Sequence, residues 1–414
     1  MTATRSPASA GEELLWLTER FLPGLRSTAN LTHLHLDGPA DADLLAAAIS
    51  VLRARHPALR TRFTVADNRL WREVDPVAAE PGIRRLPAGI GNAAAFDALV
   101  PDRFDLARGD LLRAGLAPAR GGAELYLAAH HIVLDGYAEE IIAADLARAY
   151  AQLVAGEVPD TTPRPRTEPV TVTADRRDRL TAYWARALEG VPSLPDDRPR
   201  QSHRELLFAR VVEQRFAVPR ESARSLRRQA RAGAMSVFPL LLTAVGRAVA
   251  ELAGADDFCV GTPISTRRYD QRDEVCCELN MVPIRITDPF GTGAAARLWE
   301  RVVDATQHAD LPRTEIIAAG PPGDDIRMPL YQVVMTLQNW ARPVHRAGPV
   351  RLRTLPGRAL SPLAELMIEF YDQGPDDLTG IVQVPAGGAW APRLARFGEL
   401  LAEHLAVPAE KEPR

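Results

Sequence analysis

Lysine is nearly absent from this chain of 414 residues. Lys411 is the only lysine among the 50 basic residues, and all the others are arginines. A P-loop needs a lysine to reach the phosphate groups, and pyridoxal-dependent enzymes and aldolases need one to form a Schiff base. A single lysine close to the C-terminus serves neither purpose, so both classes are excluded. We attribute the excess of arginine to genome composition.

Cysteines, long apolar runs and excess charge are also scarce. Cys259, Cys276 and Cys277 form no CxxC pair, so neither a zinc site nor a disulfide framework is indicated. The longest apolar run, residues 237–246, is too short to cross a membrane, and no secretory signal is visible at the N-terminus. The net charge of −3 argues against nucleic-acid binding. These features predict a cytoplasmic protein with reduced thiols, no metal and no membrane or nucleic-acid partner.

One proline-rich polar segment interrupts an otherwise globular composition. Residues 159–169 contain four prolines and few apolar side chains, which is typical of a semi-rigid connector. Dividing the chain near residue 165 gives two predicted domains, residues 1–165 and residues 166–414. Each is long enough to bury a hydrophobic core of its own.

Hydrophobic periodicity predicts both helices and strands in the two halves. In the first half we expect a helix over 41–54 capped by Asp41, a hairpin of strands 59–65 and 70–74, a strand over 125–131 and a helix over 137–155. In the second half we expect helices over 178–189, 221–231 and 236–254, and strands over 205–216, 258–261, 281–286, 333–337, 367–371 and 378–384. This mixture predicts an α/β (α+β sandwich) fold with two lobes.

The most informative string is HHIVLDG, which contains His130, His131, Asp135 and Gly136. Adjacent residues at the end of a strand point to opposite faces, so only one histidine can face a given cleft. Histidine exchanges a proton near neutral pH, which makes it a candidate acid or base. Gly136 allows a backbone conformation that other residues resist. From the residues alone, a structural role and a functional role for this string are about equally supported.

With this string, the sequence resembles the condensation domains of nonribosomal peptide synthetases. That family is also similar to chloramphenicol acetyltransferase. HHIVLDG matches the family's HHxxxDG signature. Six further strings resemble family blocks in the family's order: RHPALRTRF from Arg55, FDLARGDLLRA from Phe104, AYWARALEGVPSLPDDRPR from Ala182, FCVGTPISTR from Phe258, LNMVPIR from Leu279 and MPLYQVVMTLQN from Met328. The resemblance covers nearly the whole chain.

The resemblance implies a V-shaped pseudo-dimer of two acetyltransferase-like lobes with the active site at their junction. An amine acceptor, free or carrier-bound, would attack an acyl thioester carried on the phosphopantetheine arm of a peptidyl or acyl carrier protein, in cis or in trans. The product would be an amide. A thioester is already activated, so the chain itself would bind no cofactor.

The resemblance also assigns roles to individual residues. His131 would be catalytic, either as a general base or as a group that positions the acceptor, and His130 would be structural. Asp135 would be buried against an arginine, for which Arg55, Arg60 and Arg285 are candidates, and Gly136 would leave room at the pocket. Residues expected to line the substrate tunnel are Asn280, Pro283, Gln338 and Asn339. The side-chain amides of Asn280, Gln338 and Asn339 could instead form hydrogen bonds with backbone groups.

Several alternatives stay open at this level. The product could be an ester, the donor could be a free coenzyme A thioester, or the chain could be a noncatalytic module that recruits carrier proteins. The protein could be free-standing or a domain of a larger one. The arginines between Arg220 and Arg231 form either a solvated helix face or a docking patch for an acidic carrier protein. Departures from the family pattern include Cys276 in place of a glycine and Glu278 in place of an aromatic residue.

Overall fold

The computed structural model describes residues 4–75, 82–169, 172–195, 202–322, 327–340, 342–355, 361–374 and 376–406, apart from the side chain at position 203. The end of the AYW block, residues 196–200, therefore lies outside the described residues. In chain order the helices and strands are β1 (Thr4–Pro7), α1 (Ala10–Phe21), β2 (Ala29–Asp37), α2 (Ala42–Arg55), β3 (Thr61–Ala66), β4 (Arg69–Val74), β5 (Ile83–Arg85), α3 (Asn92–Leu99), β6 (Leu112–Ala119), β7 (Gly122–His130), α4 (Gly136–Val154), α5 (Ala174–Ala187), α6 (His203–Phe208), β8 (Val211–Ala217), α7 (Arg220–Ala232), α8 (Phe238–Ala253), β9 (Asp257–Ser265), β10 (Leu279–Thr287), α9 (Ala294–Gln307), α10 (Arg313–Ala319), β11 (Tyr331–Gln338), β12 (His345–Ala347), β13 (Val350–Leu355), β14 (Leu366–Gly374), β15 (Asp377–Pro385) and α11 (Leu394–Leu405).

The chain forms two compact units. The first contains Met1–Thr171, Arg267–Leu279 and Arg342–Leu360, and the second contains the rest. The sequence-based division into residues 1–165 and 166–414 is continuous, whereas two segments of the second half return to the first unit. Local periodicity does not reveal such a return, because the segments join the first unit only through tertiary contacts.

In the first unit, a six-stranded sheet has the order β12-β13-β2-β7-β6-β5. Strand β13 pairs antiparallel with β2, with Arg351 opposite Asp37, so a strand from late in the chain completes this sheet. Helices α2 and α4 contribute Leu45, Ile49, Ile142 and Leu146 to a core that also includes β7. A small second sheet has the order β1-β4-β3.

In the second unit, a six-stranded sheet has the order β10-β9-β11-β14-β15-β8. Strands β9, β11 and β14 run parallel, whereas β15 and β8 are antiparallel to their neighbours. Its core is formed by Leu241, Val245, Val260, Val334 and other apolar residues of the helices and strands. Two mixed α/β units confirm the predicted fold class.

Local predictions were most accurate where a capping or turn signal was present. The helix predicted over 41–54 is confirmed as α2, and the Asp41 side chain accepts hydrogen bonds from the backbone N–H groups of Asp43 and Leu44. The predicted hairpin is confirmed as β3 and β4, and Asp67 and Asn68 at its turn both adopt positive φ.

The strand predicted over residues 205–216 is wrong in its first part. Residues 203–208 form the short helix α6, and only β8 is extended. The cause is a capping box: the hydroxyl of Ser202 accepts a hydrogen bond from the backbone of Glu205, and the Glu205 carboxylate accepts one from the backbone of Ser202. The reciprocal pair starts a helix that the apolar run does not suggest.

The proline-rich segment lies against the first unit. The backbone N–H of Arg164 donates to the carbonyl of Arg55 at 2.7 Å, and its guanidinium donates to Asp145 at 3.1 Å. Arg166 donates to the buried carboxylate of Glu12 at 2.6 Å. The segment is therefore held by ion pairs as it leaves this unit.

Candidate active site

Strand β7 ends at His130, and a 3-10 turn over His131–Val133 follows at once. The change from extended to turned backbone separates the two histidines. His130 is fully buried, whereas His131 is half-buried. This agrees with the expectation from the sequence that at most one of the two histidines can face a cleft.

His130 is tied into the protein interior. Its Nδ1 accepts a hydrogen bond from the backbone N–H of Ile132 at 3.0 Å, so the neutral ring has its proton on Nε2. Nε2 lies 3.8 Å from the carboxylate of Glu19, and the ring packs edge-on against Phe104. Burial lowers the pKa of His130, although Glu19 opposes the shift. These contacts give the ring no route to solvent.

His131 is less buried than His130, and its ring contacts a cysteine from a later part of the chain. Its Nδ1 lies 3.6 Å from Sγ of Cys277. Burial lowers the pKa of His131, while the charge of Asp135 and nearby backbone carbonyls act in the opposite direction. A lowered pKa means that the ring is neutral at pH 7 and can accept a proton. The thiol of Cys277 is itself protonated, because burial raises its pKa well above the usual value.

Asp135 caps helix α4 and joins it to a later part of the chain. Its carboxylate accepts hydrogen bonds from the backbone N–H of Ala138 at 2.8 Å and from that of Glu278 at 3.1 Å. Its own backbone N–H donates to the carbonyl of Cys276 at 3.2 Å. Asp135 thus links the turn that follows His131 to the segment that contains Cys277.

The positive partner of Asp135 is Arg267. Nη2 of Arg267 donates to both carboxylate oxygens, at 3.0 and 2.8 Å, and each side chain is only 6% exposed. Nη1 donates to the carbonyls of Gln271 and Glu274, at 2.7 and 2.6 Å. Burial would lower the pKa of Arg267, but the neighbouring Asp135 outweighs it and the pKa is raised. The guanidinium therefore holds both the carboxylate and the loop that leads to Cys277.

None of the three arginines suggested from the sequence contacts Asp135. Arg55 pairs with Asp160 and lies near Asp145, and Arg60 donates to the carbonyl of Asp75. Arg285 belongs to the second unit and forms a bidentate pair with Asp257, at 2.8 and 2.6 Å. Arg267 is the last residue of the string FCVGTPISTR, so the signal was present within a family block. It lies 132 positions from Asp135, and sequence spacing does not select among several distant arginines.

Gly136 is the first residue of helix α4 and does not adopt a positive φ. The conformational reason that the sequence suggested for a glycine here is therefore wrong, because any L-residue adopts a helical φ. The suggestion that Gly136 leaves room at the pocket stays a prediction.

The four residues expected to line the substrate tunnel all belong to the second unit. The side-chain amide of Asn280 donates to the carbonyls of Ala309 and Leu311, at 2.8 and 2.6 Å, which is the backbone-satisfying role left open above. Gln338 donates to Glu369. Pro283 is buried in the edge strand β10, and Asn339 is exposed. Contact with substrate stays a prediction for all four.

A carboxylate of unusual basicity lies next to Cys277. Burial raises the pKa of Glu278 to about 7, with further contributions from the charges of Glu12 and Glu274; Arg267 and Arg166 reduce the shift. The folded protein thus binds this proton more tightly than the unfolded chain does. The free energy of unfolding accordingly decreases as the pH rises from the unfolded value of 4.5 through about 7.

The Glu278→Gln variant is therefore expected to be more stable than the parent above pH 7 and equally stable near the unfolded pKa of 4.5. The difference at high pH is at most about 3 kcal/mol. Urea denaturation of both proteins across this pH range measures it. A difference that does not change with pH would show that folding does not raise the pKa of Glu278. Glu213→Gln, on the half-buried edge strand β8, is the matched control.

The arginine-rich face of helix α7 is largely paired within the second unit. Arg220 and Arg224 both donate to Asp376, and Arg227 donates to Asp372. Arg228 and Arg231 are exposed and form no ion pair with any residue that the structure describes. The docking patch suggested from the sequence is thus reduced to two arginines and stays a prediction.

Membrane-spanning helices and metal-binding clusters are both absent from the part of the chain that the structure describes. No helix there is long and apolar enough to span a membrane. No cluster of three or more His, Cys, Asp or Glu side chains with the spacing of a metal site occurs among them.

The two mixed sheets with their helices, and the HHxxxDG motif that begins at the last residue of β7, define a mixed α/β protein with a histidine motif. The condensation-domain family model matches residues 6–348, so the chain belongs to the condensation-domain family. This confirms the family predicted from the sequence. Condensation domains are acyltransferases that form amide bonds in nonribosomal peptide synthetases. They work on substrates held by carrier proteins and bind no cofactor themselves.

Individual relatives agree with this assignment. The chain is 28% identical to malpinin synthetase of Mortierella alpina over 362 residues, which cover 80% of this chain and 4% of that protein. It is 30% identical to the probable non-canonical nonribosomal peptide synthetase CymA of Salinispora arenicola over 361 residues, again 80% of this chain and 4% of the relative. The condensation domain of the monacolin K polyketide synthase MokA has the same fold, with a TM-score of 0.77, 19% identity and 99% coverage of both chains. This chain thus spans only about 4% of the length of malpinin synthetase and of CymA.

Proposed function

We propose that this chain catalyses amide formation between an amine acceptor and an acyl group held as a thioester on a carrier protein. The acceptor nitrogen attacks the thioester carbonyl and forms the C–N bond. The C–S bond then breaks, and the acceptor's proton leaves with the thiol of the carrier's phosphopantetheine arm. The reaction takes place in the cytoplasm, where the carrier acts in cis or in trans.

One observation supports this proposal most strongly: the ring of His131, the second histidine of the motif, is half-buried, and burial lowers its pKa, which favours the neutral form. Nδ1 lies 3.6 Å from Sγ of Cys277, and in this proposal the other ring nitrogen, Nε2, meets the reactant. His131 acts either as the base that removes the acceptor's proton or as the group that positions the attacking nitrogen. Base catalysis contributes about 10²–10⁴-fold, and alignment of two reactants contributes up to ~7–11 kcal/mol.

The other members of the motif support the position of His131. His130 fills the interior behind β7, and Gly136 begins the helix that Asp135 caps. Asp135 and Arg267 fasten the turn after His131 to the segment that contains Cys277. They do not contact the His131 ring through any hydrogen bond in the described residues. Asp135 and Arg267 are therefore positioning residues in this proposal.

The base role makes a prediction about pH. Since burial lowers the pKa of His131, the ring loses its proton below the usual value of 6.5, and the basic form is fully present at neutral pH. We expect kcat/KM to increase with pH in the range below about pH 6.5 and to be constant from there to about pH 8. Product formation at fixed carrier concentration, measured by mass spectrometry, gives the profile. A rate that decreases over the same range would exclude the neutral ring as the base.

A competition between donors tests the function itself. The same acyl group is presented on a carrier protein and on coenzyme A, each with a panel of amines and alcohols, and the products are identified by mass spectrometry. Amide formed only from the carrier supports the proposal. Ester products or turnover of the coenzyme A thioester would favour the two other acyltransferase alternatives. Carrier binding without turnover would favour a recruitment module.

A further inference from the structure

The thiol of Cys277 lies beside the motif histidine to which the proposed function assigns catalysis. Its Sγ is 3.6 Å from Nδ1 of His131, although the two residues are 146 positions apart. Both belong to the first unit, which the segment Arg267–Leu279 joins from the second half of the chain. A thiol is a weak donor through S–H and a weak acceptor through sulfur, so it can meet a ring nitrogen in either tautomer.

Cys277 is held in this place by the residues on either side of it. The carbonyl of Cys276 accepts a hydrogen bond from the backbone N–H of Asp135 at 3.2 Å. The backbone N–H of Glu278 donates to the Asp135 carboxylate at 3.1 Å. Asp135 follows His131 by four positions and caps α4. One residue thus fixes both the turn that carries His131 and the segment that carries Cys277, so the fold sets the separation of the two side chains.

The other two cysteines occupy different surroundings. Sγ of Cys276 lies 3.7 Å from the carbonyl of Glu274. Cys259 is buried in β9 of the second unit. Cys277 is therefore the cysteine to consider together with the His131 ring, and Cys259 offers a comparison at a distant buried position.

The absence of charge on this partner distinguishes His131 from most other histidines of the chain. Six of them have a carboxylate oxygen within 4 Å of a ring nitrogen: His33, His35, His56, His130, His345 and His404. A carboxylate favours the protonated ring, whereas an uncharged thiol does so much less. Cys277 is uncharged, because burial raises the pKa of its thiol well above the usual value. The charge of Asp135 does act on His131, but Asp135 is paired with Arg267.

We infer that Cys277 is a positioning residue of the proposed acyl transfer: its thiol contacts Nδ1 and orients the His131 ring with Nε2 toward the reactants. This inference rests on the proposed function. For Nε2 to accept a proton, the neutral ring carries its own proton on Nδ1, and that N–H then donates to the sulfur. The thiol itself does not attack the thioester, because burial disfavours the thiolate. Without the contact the ring is free to turn, and a misplaced reacting group reduces the rate up to about 10²-fold.

A double-mutant cycle with His131 tests this role. In the parent protein, Cys277→Ala should lower kcat for the carrier-bound thioester about tenfold to a hundredfold and leave KM nearly unchanged. In the His131→Ala background, the same substitution should change the residual turnover by less than about twofold, because no ring is left to orient. Cys277→Ser, which can still donate and accept, should restore most of kcat. Cys259→Ala removes another buried thiol and should keep the kcat of the parent.

Two further measurements make the test independent of folding and of turnover. Cys277→Val keeps a buried side chain that neither donates nor accepts, so it should lose kcat like Cys277→Ala and replaces that variant if it fails to fold. Nitrogen NMR of isotope-labelled histidine, with His131 assigned by the loss of its signals in His131→Gln, reports the contact directly. Cys277→Ala or Cys277→Val should shift the Nδ1 signal of His131 more than the Nε2 signal, and Cys259→Ala should shift neither.

Four results would overturn the inference. They are an equal loss of kcat in the two backgrounds, an unchanged kcat in a folded Cys277→Ala or Cys277→Val protein, an acyl group attached to Cys277 in mass spectra of the intact protein, and an Nδ1 signal that these substitutions do not move. If the parent forms no amide while the Nδ1 signal does move, the proposed function fails and the contact between Cys277 and His131 is confirmed.

Discussion

Replacing His131 by alanine is expected to reduce amide formation about 10²–10⁴-fold while the protein stays folded. The reason is that this ring, in the proposed mechanism, accepts the proton of the acceptor or holds the attacking nitrogen, and alanine can do neither. Turnover of the carrier-bound thioester, measured by mass spectrometry, gives the loss, and circular dichroism with thermal unfolding gives the folding state.

Two further variants make this experiment specific. His404→Ala removes a histidine that pairs with Glu251 on the surface of the second unit, so it should keep the activity of the parent. His131→Gln keeps a hydrogen-bonding side chain but is not a base near neutral pH. If His131→Gln retains most of the activity, positioning is the main role of His131. Parental turnover in His131→Ala would exclude both roles.

Replacing Asp135 by alanine is expected to lower the free energy of unfolding by about 3–5 kcal/mol and to lower activity as well. The substitution leaves the guanidinium of Arg267, 6% exposed, without its counter-charge. It also removes the acceptor for the backbone N–H groups of Ala138 and Glu278. Urea denaturation and thermal unfolding measure the change.

A double-mutant cycle separates the ion pair from the helix cap. Arg267→Ala should destabilise the protein by a similar amount, and Asp135→Ala with Arg267→Ala should cost less than the two single changes together, because no charge is then left buried alone. Asp257→Ala is the control, since its pair with Arg285 is more exposed and should contribute only about 0–1 kcal/mol. Additive effects in the cycle, or an unshifted melting curve for Asp135→Ala, would show that the pair is not structural.

The sequence predicted the family and the two-lobed α/β fold because both depend on contiguous strings. HHIVLDG is read without knowledge of any distant contact, and the helix over 41–54 has its cap and its apolar face within one segment. Where two local signals competed, the prediction was less accurate: the capping box at Ser202 and Glu205 prevailed over an apolar run that suggested a strand.

The partner of Asp135 could not be predicted from a contiguous string. Arg267 is separated from Asp135 by 132 positions, and several arginines on family blocks were equally plausible from spacing. The position of Cys277 against His131 was equally invisible, because these residues lie 146 positions apart.

The sequence by itself determined the chemistry that this protein has available: an imidazole motif, many guanidinium groups and one terminal lysine. Only the tertiary structure decided which of those groups meet. Folding buried His130, left His131 half-buried, paired Asp135 with Arg267 and placed Cys277 beside His131. The physical reason is that local patterns govern the helices and strands, whereas pKa shifts and ion pairs depend on distances between groups that are far apart along the chain.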